Sequence, residues 1–311
     1  MKLFSFLGQE EFFILLFPIL YWCIDASLGL RLAVLLLSSN AINCSLKLAF
    51  HNPRPYWADS RVKAYTSETT FGIPSNHAQI STGIWGMLAV FIRRKWAYIG
   101  AGLIIFMIGV SRIYLGVHFT SDVLAGWLIG LIYLIGFLHW EKDLYAWFKG
   151  LTFYRQLMVS FLSSIFLILL MTIPALGLKS WQPPALWINN SRAAFPNVLF
   201  NPADISIAFT TAGTWLGLLV GVTWINDSYG GFTASGTEKQ KSMRYLIGIV
   251  GLGILYFGMG SFFPGTANAV GYGLRFLRYA LIGFWISGLG PCLFLRMKLA
   301  ESLKDLLPCN L

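Results

Sequence analysis

The sequence predicts an all-α membrane protein, a polytopic bundle of about nine transmembrane helices. Of its 311 residues, 56% are hydrophobic and only 12% are charged, and the mean hydropathy is +0.65, whereas a soluble globular domain carries roughly 25% charged residues. Nine stretches contain no Asp, Glu, Lys or Arg: 12–24, 32–46, 69–92, 96–111, 123–140, 156–178, 205–226, 245–274 and 279–295. A hydrocarbon core about 30 Å thick needs ~20 residues of helix, and these stretches lack the alternating pattern of membrane β-strands. Each is therefore expected to be a helix.

The first apolar stretch is expected to be a retained membrane anchor. Glu10 and Glu11 precede it, where a signal peptide carries basic residues, and no small-residue cleavage site follows. The net charge of +10 is dispersed among the loops, and no soluble domain is predicted that could hold a nucleic acid. The membrane surface and anionic substrates are therefore the expected partners; the sequence leaves the oligomeric state open.

The chain changes character near residue 150. Every candidate catalytic group precedes this point, and the remainder consists of apolar stretches joined by loops rich in Pro, Gly, Trp and Asn. We therefore predict a catalytic core at residues 1–150, extending to about residue 178 if the next helix belongs to it, and a C-terminal membrane extension at residues 179–311. The loop 179–204 is a candidate lid, with a plain interfacial connector as the alternative.

Three basic residues are predicted to converge at one end of the bundle. Lys47 ends the second apolar stretch, Arg54 lies in the loop just beyond it, and Arg112 ends the fourth stretch. Lys47 alone could extend its amine to the membrane interface, but charges at membrane depth are expensive and often functional. Three cations with few acids nearby repel one another unless an anion binds between them. Phosphate is the expected anion, because guanidinium groups bind its oxygens bidentately.

The segment Pro74, Ser75, Asn76, His77 is predicted to start a helix. Pro and Ser are typical of a helix opening, and an apolar run follows. The free backbone N–H groups of a helix N-terminus favour phosphate binding, although an ordinary cap would look the same.

His118 and Asp122 are four residues apart, so on one helix they would share a face. A carboxylate behind an imidazole holds it in one tautomer and leaves the other nitrogen free to attack. Together these residues indicate a two-step phosphoryl transfer in which His118 attacks phosphorus, Asp122 orients it, and Lys47, Arg54 and Arg112 stabilise the oxygens. His77 would protonate the leaving oxygen and then activate water. The cations replace a metal, so neither a metal nor another cofactor is expected.

These segments resemble the type 2 phosphatidic acid phosphatase family, whose three signatures read K-x6-RP, PSGH and SR-x5-H-x3-D. They match Lys47, Arg54 and Pro55, then Pro74, Ser75 and His77, and then Ser111, Arg112, His118 and Asp122. The resemblance covers about residues 12–140 and implies a six-helix phosphatase core followed here by C-terminal helices. It also implies a phosphohistidine on His118 and a phosphate site made by Lys47, Arg54, Ser75, residue 76 and Arg112. Asn76 stands where the family has Gly, and its larger side chain is expected to affect which shape of substrate the site accepts.

The expected activity is metal-independent hydrolysis of a phosphate monoester or diphosphate on a lipid or polyprenyl substrate. The sequence RPYW at residues 54–57 and the predicted count of nine helices also resemble glucose-6-phosphatase, so a sugar phosphate is an alternative substrate. Phosphotransfer to another lipid is a second alternative. A lipid-binding scaffold is a third, although both key histidines are present.

The distribution of basic residues predicts which side the site faces. If the helices alternate in direction, the loop 51–76 and the turn at Gly116 lie on one side, which we name the active-site face. The opposite face receives thirteen Lys and Arg residues, whereas the active-site face has seven besides Lys47, Arg54 and Arg112. The positive-inside rule puts the larger number in the cytoplasm. The site would then face the periplasm, the exterior or a lumen, and a bacterial protein of this kind would lie in the inner membrane.

Overall fold

A computed structural model of the chain describes residues 1–262 and 268–306, and within these ranges it is helical without an extended strand. The predicted all-α fold is therefore confirmed. The helices are α1 (Lys2–Phe6), α2 (Glu10–Ile19), α3 (Ala26–Phe50), α4 (Pro55–Ala58), α5 (Asn76–Ile92), α6 (Lys95–Tyr114), α7 (Thr120–Gly150), α8 (Phe153–Leu176), α9 (Ala185–Ala194), α10 (Ser206–Tyr229), α11 (Glu238–Gly253), α12 (Met259–Phe262), α13 (Ala269–Phe284), α14 (Gly290–Arg296) and α15 (Leu303–Leu306). Short π-helical turns follow α2, α11 and α13 at Leu20–Ile24, Ile254–Gly258 and Trp285–Leu289.

Six helical segments in the described part of the chain are long and apolar enough to cross a membrane. They are Ala26–Ala58, Lys95–Tyr114, Thr120–Gly150, Phe153–Leu176, Ser206–Tyr229 and Ala269–Arg296. The protein is thus an integral, multi-pass membrane protein. A shorter apolar helix covers Phe12–Ile24, α5 has 17 residues, and the predicted stretch 245–274 includes residues outside the described ranges. The count of nine spans stays a prediction.

The chain forms two compact units. The first contains residues 1–13, 38–140 and 169–205, and the second contains residues 14–37, 141–168 and 206–311. All eight predicted site residues belong to the first unit. The predicted boundary between core and extension was drawn from the motifs, and it stays a prediction.

The first unit has an apolar cluster at the end of α3 and α6. Its buried members are Leu48, Tyr56, Trp57, Phe71, Leu115 and Val117. All of these residues except Phe71 lie within three positions of Lys47, Arg54, Arg112 or His118 in the sequence. The packing that buries them therefore also sets the backbone from which the polar side chains project. Burial of large aromatic side chains supplies much of the stabilisation in such a cluster.

The second unit is organised around a close crossing of α10 and α13. Gly213, Gly217 and Gly221 recur every four residues along α10, and a Cβ on Gly213 or Gly217 would run into the backbone of α13. Small residues at this spacing let two membrane helices approach until their backbones touch. Ser287 adds a hydrogen bond from its Oγ to the carbonyl of Leu218 at 2.8 Å.

Candidate active site

Lys47 and Arg54 are both anchored to the loop that precedes α5. Lys47 lies in the last turn of α3 and is 5% exposed; its Nζ donates to the carbonyl of Phe71 at 2.5 Å and to Thr70 Oγ1 at 3.2 Å. Arg54 precedes α4, and its Nε donates to the carbonyl of Thr70 at 2.6 Å. Thr70 and Phe71 were not predicted, because nothing in their local pattern marks them as partners of distant cations.

Arg54 also reaches the predicted nucleophile. Its Nη1 donates to the carbonyl of Val117 at 2.9 Å and lies 3.1 Å from His118 Nε2. The other ring nitrogen, Nδ1, lies 3.2 Å from Asp122 Oδ2. Guanidinium only donates, so Nε2 accepts from Arg54, and Nδ1 must carry the proton that it donates to Asp122. The geometry thus selects one tautomer and aims the Nε2 lone pair toward the cations.

The prediction that His118 and Asp122 share one helix was wrong in detail. Helix α7 begins at Thr120, so His118 lies in the turn before it and Asp122 in its first turn. The backbone N–H of Phe119 also donates to Asp122 Oδ2 at 2.9 Å. Asp122 therefore binds both the turn and the imidazole, which brings the pair together without a helical spacing.

His118 is buried, with 3% of its surface exposed. Burial lowers the pKa of its imidazole well below the ordinary value, and the positive charges of Arg54, Lys47 and Arg112 lower it further. The imidazole is therefore neutral near pH 7, which is the form that a nucleophile requires.

Glu68 is a member of the site that the sequence analysis missed. Its carboxylate pairs with Arg112 Nη2 and lies 3.5 Å from Arg54 Nη2. Burial raises the pKa of this carboxyl, but attraction to Arg54 and Arg112 outweighs burial and lowers it to about 2. The prediction of few acids among the cations thus needs correction, because one ionised carboxylate bridges two of them. No motif marked Glu68, which lies in a polar loop far from both arginines in sequence.

Arg112 lies in the last turn of α6 and is fully buried. Its Nη1 donates to Ser5 Oγ at 2.5 Å, a contact that could not be predicted across more than a hundred residues. Its Nε is also buried and has no partner among the described residues. The guanidinium thus keeps one donor that a ligand could use.

The segment Pro74–His77 forms a helix start as predicted, with Ser75 at the N-cap and Asn76 opening α5. The backbone N–H of Ser75 donates to the carbonyl of Asp122 at 2.9 Å, which ties this end of α5 to α7. Ser75 Oγ and His77 Nε2 are buried without a partner in the described ranges. Buried polar atoms of this kind are costly unless they are bound, so both suit contacts with a substrate.

Asn76, the departure from the family signature, binds α3 through its side-chain amide. Its Nδ2 donates to Asn40 Oδ1 on α3 at 3.2 Å. Behind it, Asn43 Nδ2 donates to Gln79 Oε1 at 2.8 Å, and Gln79 Nε2 donates to the carbonyl of Ser39 at 2.9 Å. This buried network holds α5 against α3 and so fixes the position of the helix start.

The loop 179–204 contains α9, which packs on α4. Asn190 Nδ2 donates to the carbonyl of Trp57 at 3.0 Å, and the Trp57 ring also packs against Phe200. The Arg54 guanidinium lies 5.9 Å from the centre of the same Trp57 ring. The segment therefore supports the backbone beneath Arg54, while its role as a lid stays a prediction.

Within the described part of the chain, the site gathers three cations, one bridging carboxylate and several polar atoms without partners. In the same ranges, no group of three or more His, Cys, Asp or Glu side chains could hold a metal ion. The arrangement suits a tetrahedral oxyanion bound by Arg54, Arg112 and Lys47 beside an imidazole whose Nε2 lone pair faces Arg54.

Comparison with known proteins points to one superfamily. The family model described as PAP2 superfamily matches residues 28–146, and the one described as PAP2 superfamily phosphatase, transmembrane extension, matches residues 209–302. Among curated relatives, phosphatidylglycerophosphatase B of Bacillus subtilis is 32% identical over 113 residues, which are 33% of this chain and 53% of the relative. Sphingosine-1-phosphate phosphatase 1 of Mus musculus is 33% identical over 140 residues, 42% of this chain and 32% of the relative.

The chain thus spans about half of the bacterial relative and a third of the mouse relative. Glucose-6-phosphatase catalytic subunit 1 of Canis lupus familiaris is less similar but aligns along most of the chain, at 24% identity over 308 residues, 87% of this chain and 82% of the relative. A crystal structure of a PAP2 type phosphatidylglycerolphosphate phosphatase from Bacillus subtilis aligns with a TM-score of 0.41 and 25% identity, over 46% of this chain and 75% of that one. The two family models together cover most of the sequence, and the chain belongs to the PAP2 superfamily.

Proposed function

We propose that this protein is an integral-membrane phosphatase that hydrolyses a phosphate monoester or diphosphate of a lipid or polyprenyl substrate. The observation that carries the proposal is the arrangement around His118. Its Nδ1 is 3.2 Å from Asp122 Oδ2 and its Nε2 is 3.1 Å from Arg54. This geometry supports the role of His118 as an oriented, neutral nucleophile and that of Arg54 as a phosphate-binding cation.

The reaction proceeds in two steps. In the first, His118 Nε2 forms a bond to phosphorus while the bond from phosphorus to the leaving oxygen breaks. The leaving oxygen takes its proton from His77, which must be in its protonated form when the substrate is bound, and Asp122 stabilises the positive charge that develops on His118. In the second, His77 accepts a proton from water as the water attacks phosphorus. The P–N bond then breaks, which restores His118 and releases inorganic phosphate.

Lys47, Arg54 and Arg112 stabilise the charge on the phosphoryl oxygens, a role that metal ions play in other phosphatases. Ser75 Oγ and the N–H groups at the start of α5 supply further hydrogen bonds to the same oxygens. We therefore propose that turnover needs no metal. A second candidate substrate is a sugar phosphate, and the observation that favours it is the alignment with glucose-6-phosphatase along most of the chain.

The function is tested by a substrate panel with protein purified in detergent. Phosphatidic acid, phosphatidylglycerol phosphate, undecaprenyl diphosphate, sphingosine 1-phosphate and glucose 6-phosphate are each incubated with the protein in excess EDTA. We expect release of inorganic phosphate from at least one lipid, and an acid-labile phosphoryl label on the protein during turnover. Transfer of phosphate to an added alcohol without release would favour phosphotransfer. Absence of both release and transfer across the panel would contradict the proposed function.

We further propose that the active site faces away from the cytoplasm, as the excess of basic residues on the opposite face favours. Ser60 is exposed in the loop of the active-site face, and Lys95 is exposed at the start of α6 on the opposite face. In a variant without the natural cysteines, Ser60→Cys should react with a membrane-impermeant maleimide added to intact cells, whereas Lys95→Cys should react only after lysis. The reverse pattern of labelling would reverse the orientation.

A further inference from the structure

The first nine residues, which precede the match to the PAP2 superfamily model, lie against two members of the site. Ser5 is buried and accepts a hydrogen bond from Arg112 at 2.5 Å. Gly8 packs on His77 so closely that an added Cβ would lie 3.4 Å from the imidazole ring and 3.0 Å from Ile108. The N-terminal segment is therefore a wall of the site, on the side of His77 and Arg112.

A cavity of about 250 Å³ lies beside this wall. Its lining residues are Lys2, Ser5, Gln9, Tyr65, Thr66 and Leu115. Five of these six side chains carry a hydroxyl, amide or ammonium group, so the lining offers both donors and acceptors. Ser5 lines the cavity and also binds Arg112, which places the cavity next to the phosphate-binding cations.

The position of the cavity relates to the direction in which the leaving group departs. If His77 protonates the leaving oxygen, the group attached to that oxygen must extend from the phosphate on the side of His77. The segment from Ser5 to Gln9 contacts both the His77 ring and the cavity. The leaving group would therefore enter the space that this segment lines.

We propose that this cavity is the leaving-group subsite and that it takes a hydroxyl-rich group, such as a glycerol or hexose unit. The inference rests on the proposed function, since it uses the role of His77. Hydroxyls of a polyol can pair with Gln9, Thr66 and Tyr65. An alkyl group in the same space would remove water from these side chains without replacing its hydrogen bonds, which is the unfavourable case for a polar site.

The inference is tested with two lipids that differ in what adjoins the phosphate. The leaving group of phosphatidylglycerol phosphate begins with a hydroxylated glycerol, and that of phosphatidic acid is an acylated glycerol without free hydroxyls. We expect Gln9→Leu and Thr66→Val each to lower kcat/KM for phosphatidylglycerol phosphate by about tenfold. The change for phosphatidic acid should stay within about threefold, and glucose 6-phosphate, if it is turned over, should follow the first lipid. Thr152→Val, at an exposed position before α8, is the matched control and should leave kcat/KM for both lipids unchanged.

Other results would overturn the inference. Equal losses on both lipids would mean that the segment only supports the fold, and no loss on either would mean that the cavity binds no part of the substrate. Lys2→Gln could instead lose the turnover of undecaprenyl diphosphate selectively, while Gln9→Leu keeps it. This result would assign the cavity to the second phosphate of a diphosphate substrate. Wild-type protein that cleaves phosphatidic acid but no polyol phosphate would overturn the subsite and leave the proposed function intact. A protein that cleaves nothing in the panel would overturn both.

Discussion

Replacement of His118 with alanine is expected to lower kcat by about 10⁴-fold or more, because His118 is the proposed nucleophile and the proposed covalent intermediate cannot form without it. Asp122→Asn should come close to this loss, since an amide that donates toward Nδ1 would favour the wrong tautomer of the imidazole. The measurement is the initial rate of phosphate release with the preferred lipid, together with a test for the acid-labile phosphoryl label, which should be absent in His118→Ala.

His139→Ala is the matched control, because His139 packs against Trp140 and contacts none of the site residues described above. It should retain most of the wild-type rate. Thermal unfolding in the same detergent must show that His118→Ala is folded. A folded His118→Ala variant that keeps activity in EDTA would exclude the phosphohistidine mechanism.

Replacement of Glu68 with alanine is expected to cause the second large effect, a loss of about 3 kcal/mol of stability. Glu68 bridges Arg54 and Arg112, and removal of one partner leaves two buried guanidinium charges uncompensated. Phosphate or vanadate should restore the missing negative charge, so either anion should raise the Tm of Glu68→Ala by several degrees more than that of wild type. Competitive inhibition by phosphate should also strengthen, since the carboxylate no longer competes for the arginines.

The ion pairs of Glu68 with Arg54 and Arg112 predict that the stability of the protein depends on pH. The pKa of Glu68 is about 2 in the folded protein and about 4.3 in an unfolded chain. A depressed carboxyl pKa adds stability above the unfolded value, and this contribution disappears as the pH falls from about 4.3 to about 2. The difference in Tm between wild type and Glu68→Gln should therefore have its largest value at pH 7 and become smaller below pH 4.

Glu238→Gln provides the control for these measurements, because Glu238 pairs with Lys241 at an exposed position where an ion pair contributes little. Its Tm should match that of wild type, with and without vanadate. If Glu68→Ala is as stable as wild type and gains nothing from vanadate, the carboxylate does not occupy the anion position between the arginines.

The local parts of the site could be predicted from the sequence, because their chemistry is visible in short segments. A cation at membrane depth, as at Lys47 or Arg112, is conspicuous against an apolar background. The pattern at Ser75 and Asn76 predicts a helix start from capping preferences alone, and the structure places the N-cap there. The pairing of His118 with Asp122 was also predicted, although the turn before α7 produces it rather than a shared helical face.

The contacts between distant segments could not be predicted in this way. Ser5 meets Arg112, and Glu68 meets Arg54 and Arg112, because the packing of the first unit brings these segments together. No spacing rule connects residues that lie on separate helices and loops. The α3 to α5 network through Asn43 and Gln79 is likewise invisible in a list of motifs, since Asn and Gln occur in many settings.

By itself, the sequence determined the all-α class and the membrane location and predicted a set of candidate catalytic groups, because apolar run length and isolated ionisable residues are local properties. Only the tertiary structure decided which nitrogen of His118 carries the proton and that Glu68 joins the arginines. It also decided that the N-terminal segment packs on His77 and lines a polar cavity. These features depend on distances of about 3 Å between residues far apart in the chain, and the packing of helices sets such distances.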